Sequence, residues 1–408
     1  MNYIDLFAGA GGLSEGFIRA GYKPIAHVES DQAACFTLKT RLAYHHLKEH
    51  NKLDKYYEYL KGEISRSELY SLVPAELLDT VINKAIGENN KEIFSSIDQF
   101  TEGKPVDMII GGPPCQAYSY IGRAALKHRT HDERNTLYIH YGRFLKRYEP
   151  TLFVFENVPG LLTAGKGNYF RNLRKYYKRL GYNVEAKLLN AKEHDVIQNR
   201  ERVIIIGWKK TVHFSFPEIH FSSNGFLRDD IFGDLPEIGP GENRRIQKYS
   251  KGPCEYLLMT EIRNGLEFVS QHITRPHNTK DLKIYELAID KLSAGIRLKN
   301  NNIPKEIRTQ KNIEDFLDRF KVVDNLPHTM IAHIAKDGHH FIHPDKMQLR
   351  SISVREAARI QSFPDDFYFE GIKEDQTRTA AFRQIGNAVP PILAGKIACS
   401  IVKELQNL

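Results

Sequence analysis

The stretch DLFAGAGGLSEGF, residues 5–17, passes from a buried-strand pattern through a glycine turn into a helix. Gly9, Gly11 and Gly12 allow the main chain to approach a ligand closely, at the partly positive N-terminus of that helix. Glu29 follows about 20 residues past Gly9, at the end of the next apolar run, where an acid can accept from both hydroxyls of a ribose. On these residues alone a dinucleotide and S-adenosylmethionine fit equally well, and a bare packing turn is the plain alternative. Phe7 either stacks on an adenine or belongs to the core. Asp98, in SSIDQF, stands where a third strand is expected to end and can accept from an adenine amino group; as a turn carboxylate it needs no ligand.

Working outward, YIDLF (3–7), PIAHV (24–28), DMII (107–110), LFVFE (152–156) and RVIIIG (202–207) read as buried strands. Helical periodicity runs through Leu137, Tyr141, Phe144, Leu145 and Tyr148, and again through Phe170, Leu173, Tyr177 and Leu180 up to a capping Gly181. Strands alternating with helices predict an α/β fold with a parallel, doubly wound sheet. Residues 41–97 interrupt it with a charged helical insertion. From 212 to 345 the pattern is irregular, as in a second, smaller domain. Periodicity returns at SVREAARIQSFP (353–364), and a last helix follows Pro391. The expected domains are 1–211, 212–345, and 346–408 completing the first.

The composition is that of a soluble globular protein, with 41% hydrophobic and 26% charged residues. Its four cysteines, Cys35, Cys115, Cys254 and Cys399, form no CxxC pair, so neither a disulfide framework nor a zinc knuckle is indicated. The histidines of 328–343 match no standard metal spacing, and no metal is expected. No leader and no membrane span is read from the sequence, and a reducing cytoplasm fits. The net charge of +8 suggests a polyanionic partner. Basic residues crowd 123–147 and 171–179; solvated helix faces are the plain reading, and their position beside Cys115 favours a phosphate-facing surface.

GGPPCQAYS (111–119) follows the strand DMII and aims Cys115 at its carboxyl end, the edge where open α/β sheets hold ligands. A thiolate there is a strong nucleophile, although most free cysteines are small buried hydrophobes. Three neighbours favour chemistry. FENVPG (155–160) brings Glu156 to the same edge, QNRERVIIIG (198–207) offers Arg200 and Arg202, and QIGNAVPP (384–391) resembles a ligand loop.

These motifs, in this order, resemble the cytosine-C5 DNA methyltransferases. The likeness spans the chain except 41–97 and about 212–345; one departure is Ile197, where the family commonly has proline. The resemblance implies a Rossmann-like S-adenosylmethionine-dependent methyltransferase sheet with a smaller target-recognition domain at 212–345. It implies that Cys115 attacks C6 of a flipped-out cytosine, Glu156 holds or protonates N3, and Arg202, supported by Arg200, orients O2. It implies cofactor contacts at Phe7, Gly9, Gly12, Glu29, Asp98, Pro114, Asn387 and Val389, with S-adenosylhomocysteine as product. Ser119, Arg123 and Lys127, in a stretch like the family's mobile loop, would meet DNA. The expected setting is a monomeric prokaryotic enzyme of a restriction–modification system, acting on double-stranded DNA beside a separate endonuclease. Two other readings stay open: an RNA methyltransferase on the same scaffold, whose CFT signature occurs here only at 35–37, and a non-catalytic DNA-binding module.

Overall fold

The computed structural model describes residues 1–114, 136–222, 225–309 and 317–406. Seven strands form its main sheet: β1 (Asn2–Leu6), β2 (Lys23–Glu29), β3 (Val81–Asn83), β4 (Met108–Gly111), β5 (Leu152–Asn157), β6 (Tyr182–Asn190) and β7 (Glu201–Lys209). Their order is β3-β2-β1-β4-β5-β7-β6. The first five pair in parallel, as the alternating pattern predicts. β7 departs from the expected parallel sheet, for it runs antiparallel to both β5 and β6. Two strands escaped the sequence reading. β3 has only three residues, VIN. β6, at the sheet edge, exposes Glu185, Lys187 and Leu188 and so lacks a continuous apolar run.

One face of the sheet packs under helices Lys91–Thr101, Leu137–Tyr148 and Asn168–Arg179, through Ile97, Phe144 and Tyr177 among others. The opposite face lies under helices Gly12–Arg19 and Pro391–Gln406, through Phe17, Leu393 and Ile397. These two helices touch backbone to backbone: a Cβ at Gly16 would sit 2.4 Å from the Gly395 nitrogen. Residues 378–406 have the length and apolarity of a membrane span, contrary to the sequence reading. The helix breaks before Pro391, and 67% of its most apolar window is buried in the protein.

The segment 41–97 is helical as expected, but it is not all insertion. It holds the end of helix Gln32–Glu49, then three short helices (Leu53–Lys61, Arg66–Ser71, Ala75–Asp79), then β3 and most of a sheet-covering helix. The short helices are a strut. Tyr56, Tyr59, Leu60 and Leu69 share a core with Leu266 and Tyr368. Arg245 donates to the Leu60 and Tyr59 carbonyls, and Arg66 to those of Gly371 and Ile372.

SVREAARIQSFP packs against the segment 212–345, because Ala357, Ile360 and Phe363 share a cluster with Ile231, Tyr256, Ile273, Val323 and Met330. Arg355 and Arg359 within it, and Arg350 just before it, are fully buried, which requires paired charges or hydrogen-bond acceptors. Arg359 lies between Asp234 and Asp365, Arg350 forks onto Glu356, and Arg355 donates to the Ser270, Pro364 and Phe367 carbonyls. Ser353 caps the helix in a reciprocal box with Glu356.

Burial holds His27, His272 and His343 neutral in the fold, each pushed down from the usual 6.5 to about 4; at His272 and His343 the Glu356 carboxylate opposes this and the Arg350 charge adds to it. Their folded values lie below the unfolded one. They therefore contribute stability that is complete above pH 6.5 and is lost as the pH falls toward 4. The melting temperature is expected to fall steadily across that window. A flat thermal-shift profile between those limits contradicts the burial of neutral imidazoles.

Candidate active site

The strand order reverses between β1 and β4, so the turn after β1 and the loop after β4 flank one crevice at the carboxyl edge. On the β1 side, Phe7 adopts a left-handed backbone (φ 58°), strain of the kind found where structure serves a site. Gly9 (φ 56°) and Gly11 (φ 84°) complete the turn, and Gly11 caps helix Gly12–Arg19. The space toward which a Gly9 Cβ would point is open for 4 Å. Glu29 is fixed at the end of β2: one carboxylate oxygen accepts from the Gly9 amide at 2.8 Å, the other from the Ser30 and Asp31 amides at 2.7 Å. Oε2, with one amide donor, retains capacity toward a hydroxyl, whereas Oε1 is already filled by the two amides and the Ser30 hydroxyl.

Gly12 has a different task from Gly9. A Cβ there would lie 2.3 Å from the Val389 carbonyl oxygen and 3.3 Å from the Ala388 Cβ. It lets the GNAVPP segment dock on the glycine turn, which brings Val389, and Asn387 before it, to this side. A Gly12→Ala substitution must move backbone, with about 1–3 kcal/mol of overpacking. Gly9→Ala meets no atom and costs only the left-handed strain, about 1–2 kcal/mol. Thermal melts are expected to show Gly12→Ala as the more destabilising of the two, while Gly9→Ala, whose methyl enters the open space, lowers affinity for S-adenosylhomocysteine in calorimetric titration; equal losses of melting temperature contradict the docking role.

Asp5, one residue from the end of β1, is 1% exposed, and its Oδ2 has no hydrogen-bond partner among the described residues. Burial raises its carboxyl well above the usual range, and the Glu29 charge adds to this. An acid inside an otherwise apolar strand was the signal that sequence reading passed over.

On the β4 side, Gly112 rests on Glu156: a Cβ at Gly112 would lie 2.8 Å from Glu156 Oε2. Asn157 donates from Nδ2 to the Pro113 carbonyl at 3.1 Å, which pins the loop that leads through exposed Pro114 toward Cys115. Asn157 was legible only as part of a motif, since its partner lies 44 residues away. Arg202 reaches Glu156 through Nε at 2.8 Å; both side chains are about nine-tenths buried. The direction of β7 creates this pair. Asn157 faces Val203 in the register, so a residue at the start of β7 meets the end of β5.

Two expected site residues stand elsewhere. Arg200 does not accompany Arg202 to the crevice. It is fully buried and donates to the carbonyls of Met330 and Ala388 at 2.5 and 2.8 Å, tying the chain around Met330 to the GNAVPP segment. Gln198 does similar work, accepting from the Met330 amide and donating to the Ile360 carbonyl. Asp98 does not end the third strand. It lies within helix Lys91–Thr101 and pairs with Arg147 and Tyr148, just before β5 begins, at the edge opposite the crevice. The residue that ends β3 is Asn83, whose amide donates to the Glu29 and Ser30 carbonyls at 3.1 Å. Cys115, Ser119, Arg123 and Lys127 lie outside the described residues.

The profile of the C-5 cytosine-specific DNA methylases matches residues 1–66 and 73–403. The chain belongs to this family. It is 40% identical to the type II methyltransferase M.Bpa9945I of Bacillus paralicheniformis, across all of this chain and 99% of that protein. It is 30% identical to the type II methyltransferase M1.HphI of Haemophilus parahaemolyticus, across all of this chain and 88% of that one. The fold is that of a prophage-encoded candidate DNA modification methyltransferase from E. coli, with a TM-score of 0.67 at 24% identity, covering all of this chain and 99% of that one. The enzyme is thus a DNA (cytosine-5-)-methyltransferase of the type II restriction–modification kind. The DNA-methylase family match favours it over the transfer-RNA reading and the non-catalytic one. Among the described residues no cluster of metal-ligating side chains occurs.

Proposed function

We propose that this methyltransferase modifies C5 of a cytosine flipped out of a specific duplex sequence, with S-adenosylmethionine as methyl donor. The observation that carries the reading is the buried Glu156–Arg202 pair beneath Gly112, at the point where strand order reverses. The crevice also fits the cofactor: an open turn at Gly9, the Glu29 carboxylate for the ribose, Phe7 for the adenine, and an unpartnered buried acid, Asp5, nearby. Pro114, Asn387 and Val389 would complete its walls. S-adenosylmethionine, when bound, supplies an electrophilic methyl group.

The chain's residues do the rest. The Cys115 thiolate forms a bond to C6, and the electron pair displaced from the C5–C6 double bond makes C5 nucleophilic. Glu156 hydrogen-bonds N3 and Arg202 the O2 edge, stabilising charge that enters the ring. After C5 is methylated, loss of the C5 proton and expulsion of the Cys115 thiolate restore the aromatic ring. A base inside a duplex cannot reach Cys115, so it must leave the stack. Ser119, Arg123 and Lys127 would hold the DNA backbone, and the unit around 212–345 would read sequence. We place the enzyme in a prokaryotic cytoplasm as a monomer that protects host DNA against a separate endonuclease.

The test is transfer of labelled methyl groups to duplex DNA and to transfer RNA, followed by bisulfite sequencing of a plasmid from expressing cells. One recurrent sequence methylated at C5 in DNA is expected. Label entering only transfer RNA overturns the reading.

A further inference from the structure

Helix Asn168–Arg179 carries Arg171, Arg174, Lys175, Lys178 and Arg179, all exposed, and no acid. At 100° per residue these five fall on one face, while Leu173 and Tyr177 are buried on the other. The stripe is about 12 Å long. Its cations stand three and four residues apart, where like charges repel. Elsewhere on this flank several cations are neutralised: Arg143 pairs with Glu88 at 2.8 Å, Arg147 with Asp98, Lys84 with Glu92 and Lys209 with Glu149. Among the described residues, none of the five stripe cations makes an ion pair, and Arg171 donates only to the Lys166 carbonyl and to Asn168. An ordinary solvated face mixes both signs. Here five cations, against a net charge of +8 for the chain, gather on one helix without a counter-charge among the described residues.

The position of the stripe selects the partner. The helix begins shortly after Glu156 and Asn157 end β5, so its N-terminal end lies at the carboxyl edge beside the target crevice. From there it runs down the flank over β6, the last strand of the sheet. Exposed Lys166 extends the stripe toward the crevice.

We propose that this face is a second phosphate-binding surface, which holds the DNA backbone outside the recognised sequence as the duplex leaves the target crevice toward β6. The proposal rests on the DNA methyltransferase reading above. It predicts that the enzyme's electrostatic footprint on DNA exceeds its recognition sequence.

The experiment compares the enzyme with a variant in which Arg171, Arg174, Lys175 and Lys178 become Gln. All four are exposed, and an unchanged melting temperature verifies the fold. Binding is measured against salt on duplexes of about 16 and about 36 base pairs, both centred on the mapped methylation site. Each phosphate contact contributes about 0.9 to the slope of log affinity on log salt, so the variant's slope on the long duplex should fall by about 2–4. The short-duplex slope and the methylation rate at saturating DNA should stay unchanged. An unaltered long-duplex slope overturns the proposal. So does an equal loss on the short duplex, which would put the stripe inside the recognition footprint. A loss seen only for competing transfer RNA would assign the face to RNA instead. Wild-type methylation of the same duplexes, measured in parallel, reports separately on the underlying reading.

Discussion

A Cys115→Ser enzyme is expected to lose methyl transfer by at least about 10⁴-fold, the scale seen when a covalent nucleophile is removed. Its affinity for duplex DNA and for cofactor should stay close to that of the unaltered enzyme. The reason is acidity. A thiolate is accessible near neutral pH and an alkoxide is not, while serine is close to cysteine in size. Gly112 on Glu156 and the Asn157 bond to Pro113 hold the root of the loop and do not depend on the sulfur. A duplex with 5-fluorocytosine at the target should trap the unaltered enzyme covalently through Cys115, because fluorine cannot leave C5 as a proton does. Near-native methylation by the serine variant, or a trap formed through another residue, removes the proposed mechanism.

Glu156→Gln is expected to slow the chemical step by about 10²–10⁴-fold, the range for losing a positioned proton donor. The shape of the side chain is kept, but the charge that holds the Arg202 guanidinium at 2.8 Å is gone, so the aim of Arg202 should suffer as well. Cofactor affinity should barely change, because the acid proposed for the ribose is Glu29, on the other side of the crevice. Single-turnover rates and calorimetric titrations on the same preparations separate the two effects. If Glu156→Gln weakens cofactor binding as much as Glu29→Ala does, the division of labour between the two acids is wrong.

Much of the sheet was legible because its inner strands are buried on both faces. Runs such as DMII and RVIIIG have no other stable home, and the glycine turn after YIDLF marks where the first helix begins. The strands that escaped notice are the ones this logic cannot reach. β3 is three residues long, and β6 is an edge strand with a polar exposed side. The missing β3 had a direct consequence, since Asp98 was assigned to a strand end while it lies one helix later.

What the sequence by itself determined, then, is local: which runs are strands, where the glycines bend the chain, and which acids and basic residues stand next to them. Strand direction is not local. Read as a parallel strand, β7 would carry Arg202 to the edge opposite Glu156, and only antiparallel pairing with β5 turns its start toward the crevice. Arg200, two residues earlier, is withdrawn from the chemistry because the Met330 and Ala388 carbonyls surround it. Gly12 looks like a ligand glycine until Val389, from the far end of the chain, is seen against it. In each case the deciding partner is distant in sequence, and a buried charge or a backbone contact acquires its meaning only from the groups that folding brings to it.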